Sequence, residues 1–163
     1  MSTTPEITER AEQQYVAIRA KVTMAQLAGL ADRFGEVFGW LAARGVAPAG
    51  APFFRYHVID MDRELDVEAG VPVPTALDGD GQVTVGVLPA GRYATALHVG
   101  PYDGLAGAVD GMLQWADSHG LEWDNSEAED GEHWACRLEI YLTNPSEQPD
   151  TSKWETQLAF QLK

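Results

Sequence analysis

The chain has 163 residues, 45% hydrophobic and 22% charged, which suits one ordinary globular domain with its own core and excludes a disordered polymer. Its 25 acidic against 11 basic residues give a net charge of −14, the wrong sign for a surface that seeks phosphates, so direct nucleic-acid binding is not expected. No apolar run is long enough to span a bilayer and no basic segment leads into an apolar one at the N-terminus, so the expected location is the cytoplasm.

Residues 15–22 alternate, with Val16, Ile18, Ala20 and Val22 on one side, and predict a half-buried strand. Leu27, Leu30, Ala31, Phe34, Phe38 and Leu41 follow at spacings of three and four, which predicts one helix with an apolar stripe, stopped by Gly45. Residues 53–61 and 64–73 read as a hairpin around a polar turn. The polar, turn-forming Asp78-Gly79-Asp80-Gly81 is the expected linker.

The second half repeats that order. Strands are expected at 82–88 and 92–99, joined through Pro89-Ala90-Gly91, then a helix carrying Leu105, Val109, Met112, Leu113 and Ala116, with Asp103 as its expected N-cap and Gly120 as its stop. An acidic loop over 122–132 leads to strands at 134–142 and 154–162. The expected fold is therefore α+β: two pseudo-symmetric strand-helix-strand-strand modules, roughly 15–77 and 82–163, forming one antiparallel sheet with two helices in a single domain over 1–163.

The strong chemical signatures are missing. No phosphate loop, dinucleotide fingerprint or nucleophile elbow occurs, and His57, His98, His119 and His133 are scattered rather than set at metal-ligand spacing. The lone Cys136 forms no intrachain disulfide and reads as an inert core thiol. Neither a cofactor nor a metal is expected.

One acid stands out. Glu139 lies between Leu138 and Ile140 in an apolar strand, and a carboxylate there must be solvated, paired or kept for a ligand. Two readings stay open: a surface ion pair with Arg137 on the same face, or the acid of a pocket. Aligning Arg55-Tyr56-His57-Val58 with Arg137-Leu138-Glu139-Ile140 makes His57 the expected counterpart of Glu139. Trp40, Phe34, Phe38 and Phe160 lie on apolar faces and are expected in the core. Tyr141, Tyr102, Trp115, Trp123, Phe53 and Tyr56 are the candidate walls of a pocket for a flat or cationic organic molecule.

The duplicated plan, the segment His98-Val99-Gly100-Pro101-Tyr102-Asp103-Gly104-Leu105 and the strand Glu139-Ile140-Tyr141-Leu142-Thr143-Asn144-Pro145 together resemble the GyrI-like small-molecule-binding domain, the effector-binding module of bacterial multidrug-responsive transcription regulators. The resemblance covers nearly the whole chain. It implies that Glu139 lies in an aromatic groove between the halves and receives cationic or amphipathic drugs. Because the first expected strand starts at Tyr15, it also implies a stand-alone module without a DNA-reading helix-turn-helix.

Three functions follow as expectations. The leading one is a binding protein, a sensor or sequestering module, with Glu139, Tyr141, Tyr102, Trp115, Trp123, Phe53, Tyr56 and His57 around the ligand. The second is a hydrolase of electrophilic compounds, which some relatives are, with Glu139 activating water and Tyr141 or Tyr102 orienting the substrate. The third is a protein-interaction role with gyrase or a separate regulator as partner, which the −14 charge would serve.

Overall fold

The computed structural model describes residues 2–163. Their strands are β1 Glu6–Arg10, β2 Gln13–Val22, β3 Phe53–Ile59, β4 Leu65–Pro72, β5 Val83–Leu88, β6 Gly91–Val99, β7 Asn125–Ala128, β8 Gly131–Trp134, β9 Arg137–Tyr141 and β10 Glu155–Gln161. Their helices are α1 Leu27–Ala31, α2 Phe34–Ala43 and α3 Leu105–Ser118, with short 3-10 turns leading into α1 and α3.

All strands join one antiparallel sheet, whose main path runs β1-β6-β10-β9-β3-β4-β2-β5, with β8 beside β3 and β7 beside β8. The path is a palindrome: β5-β2-β4-β3 and β1-β6-β10-β9 are like halves that meet at β3 and β9. Each half borrows its outer strand, because β1 precedes β2 in the chain but pairs with β6, and β5 precedes β6 but pairs with β2. Three Cα steps, from Arg10 to Gln13 or from Leu88 to Gly91, cover at most about 11 Å. The ends of the path must therefore approach each other, so the sheet curls. Its inner face buries Tyr15, Phe53, Tyr93, Cys136, Leu138 and Ile140, while the outer face carries the helices.

Several local expectations change. β1 gave no signal because Glu6-Ile7-Thr8-Glu9-Arg10 is an edge strand with mostly solvated side chains. The strands joined through Pro89-Ala90-Gly91 do not pair with each other, since each is taken by a strand that the curl brings alongside. The first helix is broken at Asp32-Arg33, where Arg33 N donates to Leu30 O (3.0 Å) and Glu36 N to Arg33 O (3.0 Å) in tight turns. The acidic loop is the hairpin β7–β8, and the expected strand 134–142 is interrupted at Ala135-Cys136, beside the irregularity that β3 makes between Tyr56 and Val58. Asp103 makes no cap; Pro101 and Gly104 occupy the cap positions of the turn and of α3.

The ladders fix which residues are counterparts. An offset of 78 residues carries Met24 to Tyr102 and Leu27 to Leu105 at the starts of the helical segments. It falls to 75 where Gly45 (φ 69°) and Gly120 (φ 65°) end them, so the break in the first helix absorbs three extra residues. In the strands, Ala17 corresponds to Thr95; their partners Gly70 and Ala159 correspond in turn, and so do the next partners, Phe53 and Leu138. Phe54 is therefore the counterpart of Glu139, and Tyr56 of Tyr141. His57 is not the counterpart of Glu139.

Candidate ligand-binding site

Residues directly opposite across a ladder share a face. Glu139 lies opposite Phe54 and Leu158, and Arg137 opposite Phe160. Phe54 and Tyr56 pack with the core under α2, and Leu158 and Phe160 with the core under α3. The two helical layers thus cover the same face of the sheet, one per half, and a trough lies between them above the meeting of β3 and β9.

That trough is a cavity of about 1070 Å³. Phe54, Tyr56, Glu139 and Tyr141 line it from the sheet, Met24, Leu27, Ala28 and Phe34 from the first half, and Tyr102, Leu105, Ala106 and Val109 from the second. The lining follows the pseudo-twofold: Met24 with Tyr102, Leu27 with Leu105, Ala28 with Ala106, Phe34 with Val109, Tyr56 with Tyr141. The sharpest break in symmetry is Glu139, whose counterpart is the apolar ring of Phe54.

The aromatic rings are mutually supported. Phe34 stacks on Phe54 with centroids 5.4 Å apart and planes at 23°, and both meet Tyr141 edge-on at 6.0 and 5.5 Å. Tyr102 meets Tyr141 at 5.7 Å and is backed by Trp154 at 4.8 Å. Edge-to-face and offset contacts of this kind are each worth about 0.5–1.5 kcal/mol beyond area burial. Tyr102 is set by the segment before α3. His98 Nε2 donates to Pro101 O (3.0 Å), Gly100 N donates to Trp154 O (2.8 Å), and a Cβ on Gly104 would lie 2.7 Å from His98 Cε1, so glycine is needed there.

Glu139 has two phenols and a guanidinium for company. Tyr141 Oη donates to Glu139 Oε2 at 2.9 Å, and the Tyr56 hydroxyl also reaches the carboxylate. Burial nevertheless dominates and holds the carboxyl above its ordinary value of 4.5, against the lowering effect of Tyr141, Tyr56 and Arg137. Burial and the neighbouring carboxylate push both phenols well above 10.0, so they are donors, not anions. Arg137 acts on Glu139 through its charge, while its guanidinium lies 3.8 Å from Glu132 and over the rings of Phe160 and Trp134 at 4.5 and 4.7 Å. The exposed ion pair between Arg137 and Glu139 is thus replaced by an enclosed carboxylate that opens onto the cavity.

Of the eight candidate residues, Glu139, Tyr141, Tyr102 and Tyr56 come together here. Phe53 does not, because strand alternation turns it to the inner face, where it meets Tyr15 at 5.2 Å. His57 also faces inward and bonds Glu68. Trp115, on α3 itself, stacks on His119 at the end of that helix at 4.8 Å, and Trp123 packs with Trp134 and Phe160 at 5.7 Å each in the core under α3.

Phe34, expected in the core, packs against it and also lines the cavity, while Phe38, expected there too, lines the cavity and is 36% exposed. Phe54, Met24 and the supporting Trp154 carry no sequence signal that marks them as site residues. Phe54 follows Phe53 and could have been found only by placing the two strands in register.

Among the described residues, no helix is long and apolar enough to cross a membrane, and no group of His, Cys, Asp and Glu side chains is placed to hold a metal.

Comparison with curated proteins gives no significant match. Among solved structures, the chain is similar to EcmrR in its complex with DNA, at 21% identity and a TM-score of 0.78, over 99% of this chain and 57% of that one. It spans little more than half of that protein. The EcmrR C-terminal domain matches at 21% and 0.76, over 98% of this chain and 96% of that one. SAV2435 bound to tetraphenylphosphonium matches at 11% and 0.68, over 99% and 94%. A hydrolase from Listeria innocua matches at 16% and 0.61, over 98% and 92%. At such identities these likenesses establish the fold, while the profile of the GyrI-like small molecule binding domain matches residues 3–163. With that match running through both halves and the cavity between them, the chain belongs to the family of GyrI-like small-molecule-binding domains.

Proposed function

We propose that this domain binds a lipophilic organic cation in the trough, as an effector sensor or a sequestering protein. One observation carries the reading: an enclosed carboxylate, Glu139, opens onto an aromatic cavity of about 1070 Å³, and burial outweighs the hydroxyls and the Arg137 charge that act on it. A cation entering there gains charge neutralisation in a poorly solvated site together with ring contacts to Phe34, Phe54, Tyr102 and Tyr141. The likeness to SAV2435, solved with tetraphenylphosphonium, supports the same class. Titration with tetraphenylphosphonium, followed by tryptophan fluorescence, tests it. Saturable micromolar binding that weakens at least about tenfold in Glu139→Gln is expected; equal binding by the variant would sink the proposal.

A second reading is favoured by the raised pKa of Glu139, which suits a general base, with Tyr141 orienting the substrate. The fold likeness to a Listeria innocua hydrolase agrees with it. Incubation with a cyclopropane-bearing electrophile should then give a product one water heavier; a rate no faster than in buffer rules it out. A basic protein partner, gyrase or a separate regulator, is the finer reading of the −14 charge, and a pull-down that weakens at high salt tests it.

A further inference from the structure

The two halves enter their helical segments through corresponding turns but fasten them differently. In the first half the turn closes on itself: Gln26 N donates to Thr23 O (3.0 Å), and Thr23 N donates back to the side-chain Oε1 of Gln26 (3.0 Å). By the offset of 78, Thr23 and Gln26 correspond to Pro101 and Gly104. Proline has no N–H and glycine no side chain, so the same reciprocal fastening cannot form in the second half. What remains inside that turn is the backbone bond from Gly104 N to Pro101 O (3.2 Å).

The rest of the hold comes from β6. Since Ala17 corresponds to Thr95, Ala20 corresponds to His98, and the first half carries a methyl where the second carries an imidazole. His98 is 4% exposed and does not line the cavity. Its Nε2 lies 3.0 Å from Pro101 O, which can only accept, so Nε2 carries the proton. In the neutral imidazole the other nitrogen, Nδ1, is then an acceptor, and it faces the Ser2 hydroxyl at 3.5 Å. Ser2 bridges His98, and beside it Thr3 N donates to Leu97 O (2.9 Å) while Thr3 Oγ1 accepts from Leu97 N (2.9 Å). The ring also lies against Gly104, where a Cβ would be 2.7 Å from Cε1 and 3.0 Å from Nε2. His98 is thus fixed from the edge of the sheet, and it fixes in turn the carbonyl immediately before Tyr102.

We infer that His98 is a positioning residue for ligand binding: by tying Pro101 O to the end of β6 it holds the Tyr102 ring against the trough. The inference rests on the reading of the trough as the ligand site. The corresponding wall of the first half, Met24, is 47% exposed and sits on its local turn alone. A methionine is a flexible side chain that adapts to what enters. An aromatic wall held in advance instead spares the ligand the cost of ordering it, and Tyr102, 38% exposed, is a ring that can lose its place if the turn beneath it loosens. Because His98 lies outside the lining, its whole effect on the ligand runs through that turn.

Ring-nitrogen NMR on the unaltered protein, at a pH where the imidazole is neutral, should find the His98 proton on Nε2; a proton on Nδ1 overturns the inference. His98→Leu keeps a buried side chain without the donor and should weaken tetraphenylphosphonium by about threefold to tenfold, the range that ordering one side chain on binding represents. His98→Gln, whose Nε2 can take the place of the ring's, should recover most of that loss. In a Tyr102→Ala background, His98→Leu should add less than about twofold, because its route to the ligand is already gone. The inference is overturned if His98→Leu binds as tightly as the unaltered protein, if glutamine recovers nothing, or if the loss is equal with and without the Tyr102 ring. Absence of tetraphenylphosphonium binding to the unaltered protein would remove the cation reading alone. The hold on Tyr102 is then read from its ring resonances, which should move toward those of unstructured tyrosine in His98→Leu and stay in place in His98→Gln; unmoved resonances in the leucine variant overturn it.

Discussion

Phe54 and Glu139 stand directly opposite each other across the β3–β9 ladder and are also each other's counterparts, so the pseudo-twofold axis passes between them. Directly opposed side chains have their Cβ atoms only about 4.5–5.5 Å apart. Two carboxylates there would repel; a phenyl ring instead gives the single carboxylate an apolar neighbour. The result is one negative charge at the centre of a nearly twofold cavity, flanked by the corresponding phenols Tyr56 and Tyr141.

That charge should make binding depend on pH. Burial holds the Glu139 carboxyl above 4.5, and its protonated form attracts a permanent cation only weakly. Affinity for tetraphenylphosphonium is therefore expected to fall with acidification, with a midpoint above 4.5, and Glu139→Gln to show no step. Stability runs the other way. A carboxyl whose folded pKa is raised favours the folded state below its unfolded pKa, and that contribution is lost as pH rises through the folded pKa. Affinity and urea unfolding measured from about pH 4 to pH 8 check both signs; a binding midpoint at or below 4.5 contradicts the first.

Tyr141→Phe should move that midpoint upward. Its hydroxyl donates to Glu139 at 2.9 Å and works against the effect of burial. Without it the carboxylate loses a partner while the ring contacts to Phe34, Phe54 and Tyr102 can persist. Affinity well above the midpoint is then expected to change little, and affinity around the midpoint to fall. A midpoint that does not move would show that the hydrogen bond has no hold on the charge.

The inner face should govern acid stability independently of the ligand. Glu68 is 4% exposed, accepts from Tyr15 Oη at 2.5 Å and from His57 Nε2, and is backed by Arg55, which donates to Tyr15 Oη (3.0 Å), Val87 O (3.1 Å) and Ala135 O (2.8 Å). Burial alone would raise its carboxyl, but the bonds from His57 and Tyr15 win and hold it below 4.5. Its contribution to stability is therefore present above the unfolded pKa and lost as pH falls through the lowered folded one. Glu68→Gln leaves a broken buried network and should cost about 3–5 kcal/mol. Tetraphenylphosphonium affinity, read at a pH where the variant is folded, should stay within about twofold because the network lies on the other face of the sheet.

Period and charge made much of this legible. The alternation of residues 15–22 and the apolar helical stripes belong to elements that bury one face, and Glu139 is conspicuous as an acid set between Leu138 and Ile140. What was not legible depends on register. Matching Arg55 with Arg137 set His57 against Glu139, whereas the ladders set Phe54 there and turn His57 to the opposite face. Phe34 and Phe38 read as core because a stripe facing a cavity has the same spacing as one facing another element. Trp115 and Trp123 look like pocket walls in a list of aromatics, and only the packing under α3 shows where their rings go.

Trp154 should act on the ligand through Tyr102. It does not line the cavity, yet its ring backs Tyr102 at 4.8 Å and its Nε1 donates to Gln148 O (2.8 Å) in the loop that follows β9. Tyr102 is 38% exposed, so without that backing its ring keeps Tyr141 at 5.7 Å as its aromatic neighbour and gains rotational freedom. Ordering a rotamer-rich side chain on binding costs about 0.5–1.5 kcal/mol, so Trp154→Leu should weaken tetraphenylphosphonium by roughly two- to tenfold and leave the pH midpoint of Glu139 in place. Trp154→Phe keeps a ring against Tyr102 and loses the bond to Gln148. It should bind nearly as the unaltered protein does, while amide exchange in the loop speeds up. Equal affinity in the leucine variant would mean that Tyr102 holds its position unaided, and an equal loss in both variants would place the effect in the loop and not in the ring.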